Sequence, residues 1–414
     1  MKSHGAEWPA IDALTYTLFD PSPCGFPEPR VPLLPMFTRR ALGRGQAGDF
    51  TLVGQGRPTK VYKRGRYALY DAYRLAGVGT QGALLAPAYH CRTMLDPAIS
   101  LGGELLLYQL DENLAPRLDS LRTLLAQARQ PVRAMLLTHY FGVPQQVEPM
   151  RDFCTDHGIA LIEDCSHALF NLGGRERLGL HGRYTVASPY KLLPCEEGGL
   201  LIAGDGAALP EPANRRPPLR AEISVLATML QRKRAQRRTR ETVRDLAGLE
   251  PALHALLAAG MPRGIESTAR RSGTSAMYLK AEEGLAGPAI AGALMRLCDL
   301  DHVARQRRAN YRRWAAAVAA LPHCRPLWPQ LPDDCAPYMF PLLIDHPDQH
   351  FHALKKLGMP IWRWDEMAVS DCPVASRYRK RLLHLPCHQA LAEDEIAWMH
   401  AAVSAAVRLV PVPG

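Results

Sequence analysis

Between about residue 60 and residue 205, short apolar blocks alternate with amphipathic stretches. Residues 67–75 carry apolar side chains at helical spacing, as do 118–128 and 146–157, the last closed by Gly158. These stretches predict helices. Between them lie compact apolar runs at 83–87, 104–108, 132–138, 159–163 and 199–203. Runs this short, apolar on both faces and separated by helices, predict a mostly parallel sheet covered by helices on both sides. In such a sheet ligands sit at the carboxyl ends of the strands, and Asp164 stands at one of them.

The flanks read differently. Residues 1–50 are proline-rich with little periodicity, which predicts an extended arm with one or two short elements, of the kind that wraps a domain or a partner subunit. Residues 206–220 predict a proline-rich loop, and helical, arginine-rich sequence follows to about 260. Residues 263–275 predict a connecting loop. A long helix with Arg305, Arg308 and Arg312 on a basic face then leads to a region containing a strand at 341–345 and helices at 349–357 and 393–407. The expected division is an arm at 1–55, a large α/β domain at 56–262, and a connecting loop, long helix and smaller C-terminal α+β domain at 263–414.

Composition narrows the class. With 414 residues, 47% hydrophobic and 22% charged, the chain buries a sizeable core. No apolar run reaches the roughly 18 residues of a membrane span, and residues 1–8 contain no secretory apolar core. The ten cysteines form no CxxC pair, and several lie inside apolar runs. They read as reduced thiols of a cytoplasmic protein rather than metal ligands or a disulfide framework. The net charge is +10, mostly from arginine, a residue suited to phosphate and carboxylate. The densest patch, 232–240, fits a solvated helix face or a docking surface for an anion. It lacks interleaved aromatics and any accompanying nucleic-acid motif.

The chemistry gathers around two short motifs. Leu161-Ile162-Glu163-Asp164-Cys165-Ser166-His167 ends an apolar run in a carboxylate, and Ser188-Pro189-Tyr190-Lys191 ends another in an amine. Pyridoxal phosphate needs such a pair: an acid for its ring nitrogen and an amine for its aldehyde. The freed amine can afterwards act as general base and acid. Taken alone, Asp164 also fits a helix cap or an ordinary ion pair, Lys191 a loop lysine, and His167 a satisfied core histidine. Ser188, three positions before Lys191, suits a phosphate oxygen. Gly65, just before a predicted helix, permits phosphate to meet free N–H groups at the helix start, and Gly198-Gly199 permits close backbone approach.

In sequence order these motifs, together with Pro87-Ala88-Tyr89-His90-Cys91, resemble the DegT/DnrJ/EryC1/StrS family of pyridoxal-phosphate aminotransferases, of fold type I. The likeness is strongest over about 55–205 and looser at Arg308-Ala309-Asn310-Tyr311 and Leu385-Pro386-Cys387-His388. It implies that Lys191 forms the Schiff base and Asp164 pairs with the pyridinium. It further implies that His167 meets the phenolic oxygen, that Gly65, Arg66, Tyr67 and Ser188 hold the phosphate, and that Tyr89 or His90 stacks on the ring. It also implies a homodimer with active sites at the interface. Three features depart from the family: Arg64-Gly65-Arg66 replaces a small phosphate turn, an arginine-rich stretch replaces an asparagine-containing segment near 225–245, and the N-terminal arm is long.

The expected function is amino transfer from an amino-acid donor such as glutamate to a carbonyl, first a nucleotide-linked keto-sugar. The alternatives are a non-sugar aldehyde or ketone, a carrier-tethered intermediate, or a non-catalytic scaffold of the same fold. Retention of Lys191 argues against the family's dehydratases, which carry histidine there.

Overall fold

A computed structural model describes residues 13–43, 50–54, 56–172, 178–211, 214–239, 241–260, 262–333 and 335–409. In the first half, strands β1 (Leu14–Asp20), β2 (Phe50–Leu52) and β3 (Thr59–Tyr62) precede helix α1 (Gly65–Leu75). Then come β4 (Ala83–Pro87), α2 (Arg92–Leu101), β5 (Leu105–Tyr108), α3 (Leu118–Gln127), β6 (Val132–Thr138), α4 (Glu148–Asp156), β7 (Ala160–Asp164), β8 (Phe170–Leu172), β9 (Tyr184–Ala187) and β10 (Gly199–Ala203). The second half holds α5 (Leu219–Thr239), α6 (Leu249–Ala258), β11 (Ile265–Arg271), α7 (Ala289–Leu297), α8 (Leu300–Val318), β12 (Cys324–Pro326), β13 (Met339–Ile344), α9 (Pro347–Lys356), β14 (Met367–Ala368), α10 (Pro373–Arg381), β15 (Leu382–Pro386) and α11 (Glu393–Val407).

Seven strands form the central sheet in the order β3-β10-β9-β7-β6-β4-β5. The run β5-β4-β6-β7-β9 is parallel, and β10 and β3 close one edge antiparallel. Every residue of β4, β9 and β10 is buried, which is why these strands read as unbroken apolar runs. The chain is therefore α/β, with a mostly parallel sheet flanked by helices. Register brings strand ends together: Thr138 pairs with Asp164, and Asp164 with Val186. The turns after β4, β6, β7 and β9 thus open on one edge of the sheet, and the start of α1 joins them through a bridge between Arg64 and Gly198. A Cβ at Gly199 would lie 2.4 Å from the Arg64 carbonyl carbon, so glycine permits this junction.

A second, antiparallel sheet, β12-β13-β15, packs with α8, α9 and α11 around Trp314, Phe340 and Trp398. Asp299 caps α8 by accepting from His302 N–H at 2.9 Å.

Two readings of the flanks change. Residues 265–271, expected within a loop, form β11, which pairs antiparallel along the whole of β1; β14 flanks β1 on its other side. The polar stretch of β11 lacks apolar alternation because it is almost entirely exposed, so its pairing with a segment some 250 positions away leaves no local signal. Second, the arginines of α8 do not share one solvent face. Arg305 is exposed, but Arg308 is buried and donates to the carbonyls of Pro332 and Cys335 at 2.8 and 2.6 Å. The 232–240 patch continues α5 as a largely exposed helix face, in keeping with the first of its expected readings, and Arg232 donates to both oxygens of Glu196 at 2.8 and 2.7 Å. Residue 240 and the Arg238 side chain lie outside the described residues.

The expected arm packs on its own chain. Beyond the strand pairing of β1, Arg30 N–H donates to Gly358 O at 2.9 Å, and His388 Nε2 lies 2.9 Å from Pro32 O.

Candidate active site

A cavity of about 830 Å³ opens beside these strand ends. Lys191, His167 and Arg66 line it, as the sequence motifs anticipate, together with Tyr338, Trp364 and His384. Lys191 closes a 3-10 turn after β9 (Pro189–Lys191), and its Nζ lies 5.7 Å from the Tyr338 ring centroid. His167 stacks on the same ring, with centroids 4.4 Å apart and planes 25° from parallel.

His167 has a defined tautomer. Its Nδ1 accepts the Phe141 N–H at 3.4 Å, so a neutral ring carries its proton on Nε2. Burial, then the nearby Lys191 and His384, hold this imidazole well below the usual histidine range. His384 is likewise neutral, held down to about 3 by burial and Lys191, and its Nε2 meets Tyr89 Oη at 3.0 Å.

Asp164 ends β7 and is 2% exposed. Its Oδ1 accepts the Ser166 N–H at 2.9 Å, and its backbone carbonyl accepts the His139 N–H at 3.1 Å. Neighbouring Glu163 has another role. Its carboxylate accepts N–H donors from Gly179, His181 and Gly182 at 3.0, 2.8 and 2.7 Å and faces His139 Nε2 at 3.2 Å. His139, Glu163 and Cys165 are close enough to ligate a metal, but this set of donors already satisfies both Glu163 oxygens.

The start of α1 faces Ser188. The Arg64 N-cap has no side-chain cap, and of the first-turn N–H groups Tyr67 donates to Arg64 O at 3.1 Å, which leaves the Arg66 N–H to another acceptor. A Cβ at Gly65 would lie 2.1 Å from Ser188 Oγ and 3.6 Å from Ser166 Oγ. The glycine therefore leaves space for two hydroxyls, themselves 3.1 Å apart. Helix start, paired hydroxyls and absent Cβ together form a cradle of the kind that holds phosphate.

Of the other anticipated residues, Tyr67, Tyr89 and His90 point elsewhere. Tyr67 Oη donates to Glu282 Oε2 at 2.9 Å and accepts the Leu279 N–H at 3.2 Å. His90 is fully buried: Nδ1 faces the Pro87 and Ala88 carbonyls, and Nε2 accepts the Ala368 N–H at 3.2 Å. Tyr89 packs on Trp364, centroids 4.5 Å apart. After β4, Cys91 and Thr93 line the cavity, and Tyr89 and His90 do not; Gly65, Asp164 and Ser188 are not among its lining residues either. Arg66 donates to Met277 O, while Arg64 lies over the Tyr190 ring and donates to Glu196 O at 3.0 Å.

Arg307 is the main residue that sequence reasoning missed. It is completely buried, and its five N–H groups reach Gln389 Oε1 and the carbonyls of Pro337, Tyr338, Lys191 and Leu192 at 2.9–3.3 Å. Burial lowers its pKa to about 10. One guanidinium thus ties the Lys191 turn to the Tyr338 segment. The available signal was an arginine beside Arg308 at helical spacing from apolar Ala304 and Tyr311.

Residues 62–243 match the model of the DegT/DnrJ/EryC1/StrS aminotransferase family. Over this stretch, less than half of its length, the chain is similar to that family. GDP-perosamine synthase of Vibrio cholerae is 21% identical over 142 residues, 34% of this chain and 38% of that protein. L-glutamine:scyllo-inosose aminotransferase of Streptomyces griseus is 36% identical over 104 residues, 24% of this chain and 23% of that protein. The matched segments thus span well under half of these curated relatives. Among solved structures, the Helicobacter pylori aminotransferase PseC superposes with a TM-score of 0.58 at 14% identity, covering 85% of this chain and 87% of that one. TlmJ from Streptoalloteichus hindustanus gives 0.56 at 18%, covering 84% and 86%. At these identities the likeness speaks for the fold. In this family segment, Gly65, Asp164, His167, Ser188 and Lys191 all fall within the matched residues.

Proposed function

We propose that this chain is a pyridoxal-phosphate-dependent aminotransferase that moves an amino group from an amino-acid donor, glutamate first, to a keto-sugar carried on a nucleotide. The observation that carries the reading is the cradle between Gly65, Ser166 and Ser188, set beside Lys191 and Asp164 on converging strand ends. The residues fit the cofactor. Gly65, Arg66 and Ser188 would hold its phosphate, Asp164 its ring nitrogen, His167 its phenolic oxygen and Lys191 its aldehyde. When bound, the cofactor supplies a carbonyl for amine exchange and a ring that accepts electrons from the substrate Cα–H bond.

The rest is the work of the chain. Asp164, buried and anchored by the Ser166 N–H, presents fixed negative charge where a ring cation gains most from it. His167 presents Nε2–H as a donor and holds that orientation by stacking on Tyr338. Lys191 Nζ would take up the proton of the substrate Cα and hold it for return. Arg307 keeps the lysine turn in place while this happens. Trp364, Tyr338 and His384 give the Lys191 end of the cavity largely aromatic walls.

The curated relatives named above support the sugar-type acceptor, as two enzymes of amino-sugar and amino-cyclitol chemistry. The proposal includes a homodimer in the cytoplasm. Leu219, Ile223, Leu226 and Leu230 are 75, 59, 47 and 60% exposed along one stripe of α5, an apolar face offered to a second copy. Leu226→Asp with Leu230→Asp would shift a dimer to monomer in light scattering. All ten cysteines are free, and no described helix is long and apolar enough to cross a membrane.

The test is the donor half-reaction. Holoenzyme mixed with glutamate or glutamine loses its absorbance at roughly 410–430 nm without any acceptor, and a panel of nucleotide-linked keto-sugars restores it. A protein that takes up no cofactor, or keeps its band with every amino donor, contradicts the proposal.

A further inference from the structure

The cavity does not end at the aromatic walls around Lys191. The chamber also takes in residues of the N-terminal arm, of α9 and of the segment after it: Phe19, Phe26, Phe351, Lys355 and Arg363 line it. Its volume of about 830 Å³ lies in the upper part of the range for small-molecule sites, roughly 300–1,000 Å³. That leaves room beyond a bound cofactor for a sizeable acceptor.

Two of the chamber's cations stand beside the aromatic rings of the arm, and they differ. The Arg363 guanidinium is 3.5 Å from the Phe351 centroid and 4.7 Å from that of Phe19. It donates through Nε to Asp365 Oδ1 at 2.5 Å and through Nη1 to Lys380 O at 3.5 Å. It is a fixed wall. Lys355, on the last turn of α9, has its Nζ 5.7 Å from the Phe26 ring. Among the described residues its ammonium has no hydrogen bond or ion pair, whereas its neighbour Lys356 reaches Gly25 O at 3.4 Å. Lys355 is half-buried, and loss of water pulls its pKa down against the opposing fields of Asp365 and Glu28. A charge withdrawn from water without an acceptor is costly, and an anion delivered by a ligand offsets that cost.

We propose that Lys355 binds an anionic group of the amino acceptor, a phosphate or carboxylate, inside the chamber that the arm closes over α9. The inference rests on the aminotransferase reading and adds its specificity determinant. The arm is then part of the substrate site of its own subunit. Phe26 supplies the apolar wall beside the ammonium, and the pairing of β1 with β11 and β14 fixes the root of the arm.

The experiment uses holoenzyme and two probes, inorganic pyrophosphate and malonate, with binding read by calorimetry and by inhibition of the acceptor half-reaction. Lys355→Met weakens at least one probe by about tenfold or more, and Lys355→Arg restores it, which also shows that the site is folded. The probe that responds tells phosphate from carboxylate. The acceptor-side loss in Lys355→Met exceeds any donor-side loss by at least about tenfold. Equal binding of both probes to wild type and Lys355→Met overturns the proposal, as does an equal loss in the two half-reactions. A wild type that binds pyrophosphate through Lys355 yet shows no donor half-reaction leaves the anion site standing and removes the aminotransferase reading instead.

Discussion

The two ends of the cavity are built on opposite plans. At the Lys191 end nearly every polar group is fixed by another: Arg307 by five acceptors, Glu163 by three backbone donors and His139, and Ser188 by Ser166. At the arm end, Lys355 has no such partner among the described residues, and Phe19, Phe26 and Phe351 supply apolar walls. The first plan suits a fixed reaction that needs atoms held to fractions of an ångström. The second suits recognition of a ligand that brings its own charge.

Acid is the broadest way to break this contrast. Burial holds His90 at about 4 and His384 and His388 at about 3. Below the unfolded value of about 6.5, the unfolded chain takes up protons that the folded chain refuses. The stability these residues contribute is therefore complete above about pH 6.5. It is lost as pH falls toward 4 and 3, at up to ~1.4 kcal/mol per pH unit for each. Urea midpoints measured from pH 7.5 to 5 should fall steeply. His388→Asn, which also loosens the arm at Pro32, should flatten the slope; an unchanged slope contradicts this reading.

Arg307→Ala comes next. It strands buried carbonyls of the Lys191 and Tyr338 segments, at a cost of about 3 kcal/mol, read as a lower denaturation midpoint. Turnover should fall further than the loss of stability explains, because the lysine turn loses its tether. Arg307→Lys cannot serve five acceptors and should recover only part of either.

The smallest effect tests the cradle. In Gly65→Ala the new methyl meets Ser188 Oγ, so the hydroxyl must swing off Ser166. That costs about 1 kcal/mol and should weaken cofactor retention, measured by dialysis. Adding Ser188→Ala removes the clash, so the double variant should regain stability but not cofactor affinity. Additive losses of stability would show that the two residues do not meet.

The same contrast explains what was legible in the sequence. The central strands were, because burial on both faces writes an apolar run into consecutive residues, as at 132–138 and 199–203. Gly65, Asp164, His167, Ser188 and Lys191 could be placed at strand or helix ends from the sequence, and of these His167 and Lys191 line the cavity. Tyr89 and His90 sit in the turn after β4 as two buried side chains that precede Cys91, which lines the cavity, so the turn was legible and the direction of its side chains was not. Pairing of β1 with β11 left no signal in β11, since an exposed polar strand carries no apolar period. Arg307 and Lys355 acquire their roles from partners far along the chain, and only the folded molecule sets them beside Lys191 or the arm.

The central claim is that Lys191 is the amine that holds the cofactor. Borohydride treatment of holoenzyme, followed by peptide mapping in a mass spectrometer, tests it directly. The account predicts one modified peptide, carrying the reduced cofactor on Lys191, and none in Lys191→Ala. A label on another lysine, or an undiminished label in Lys191→Ala, would contradict it.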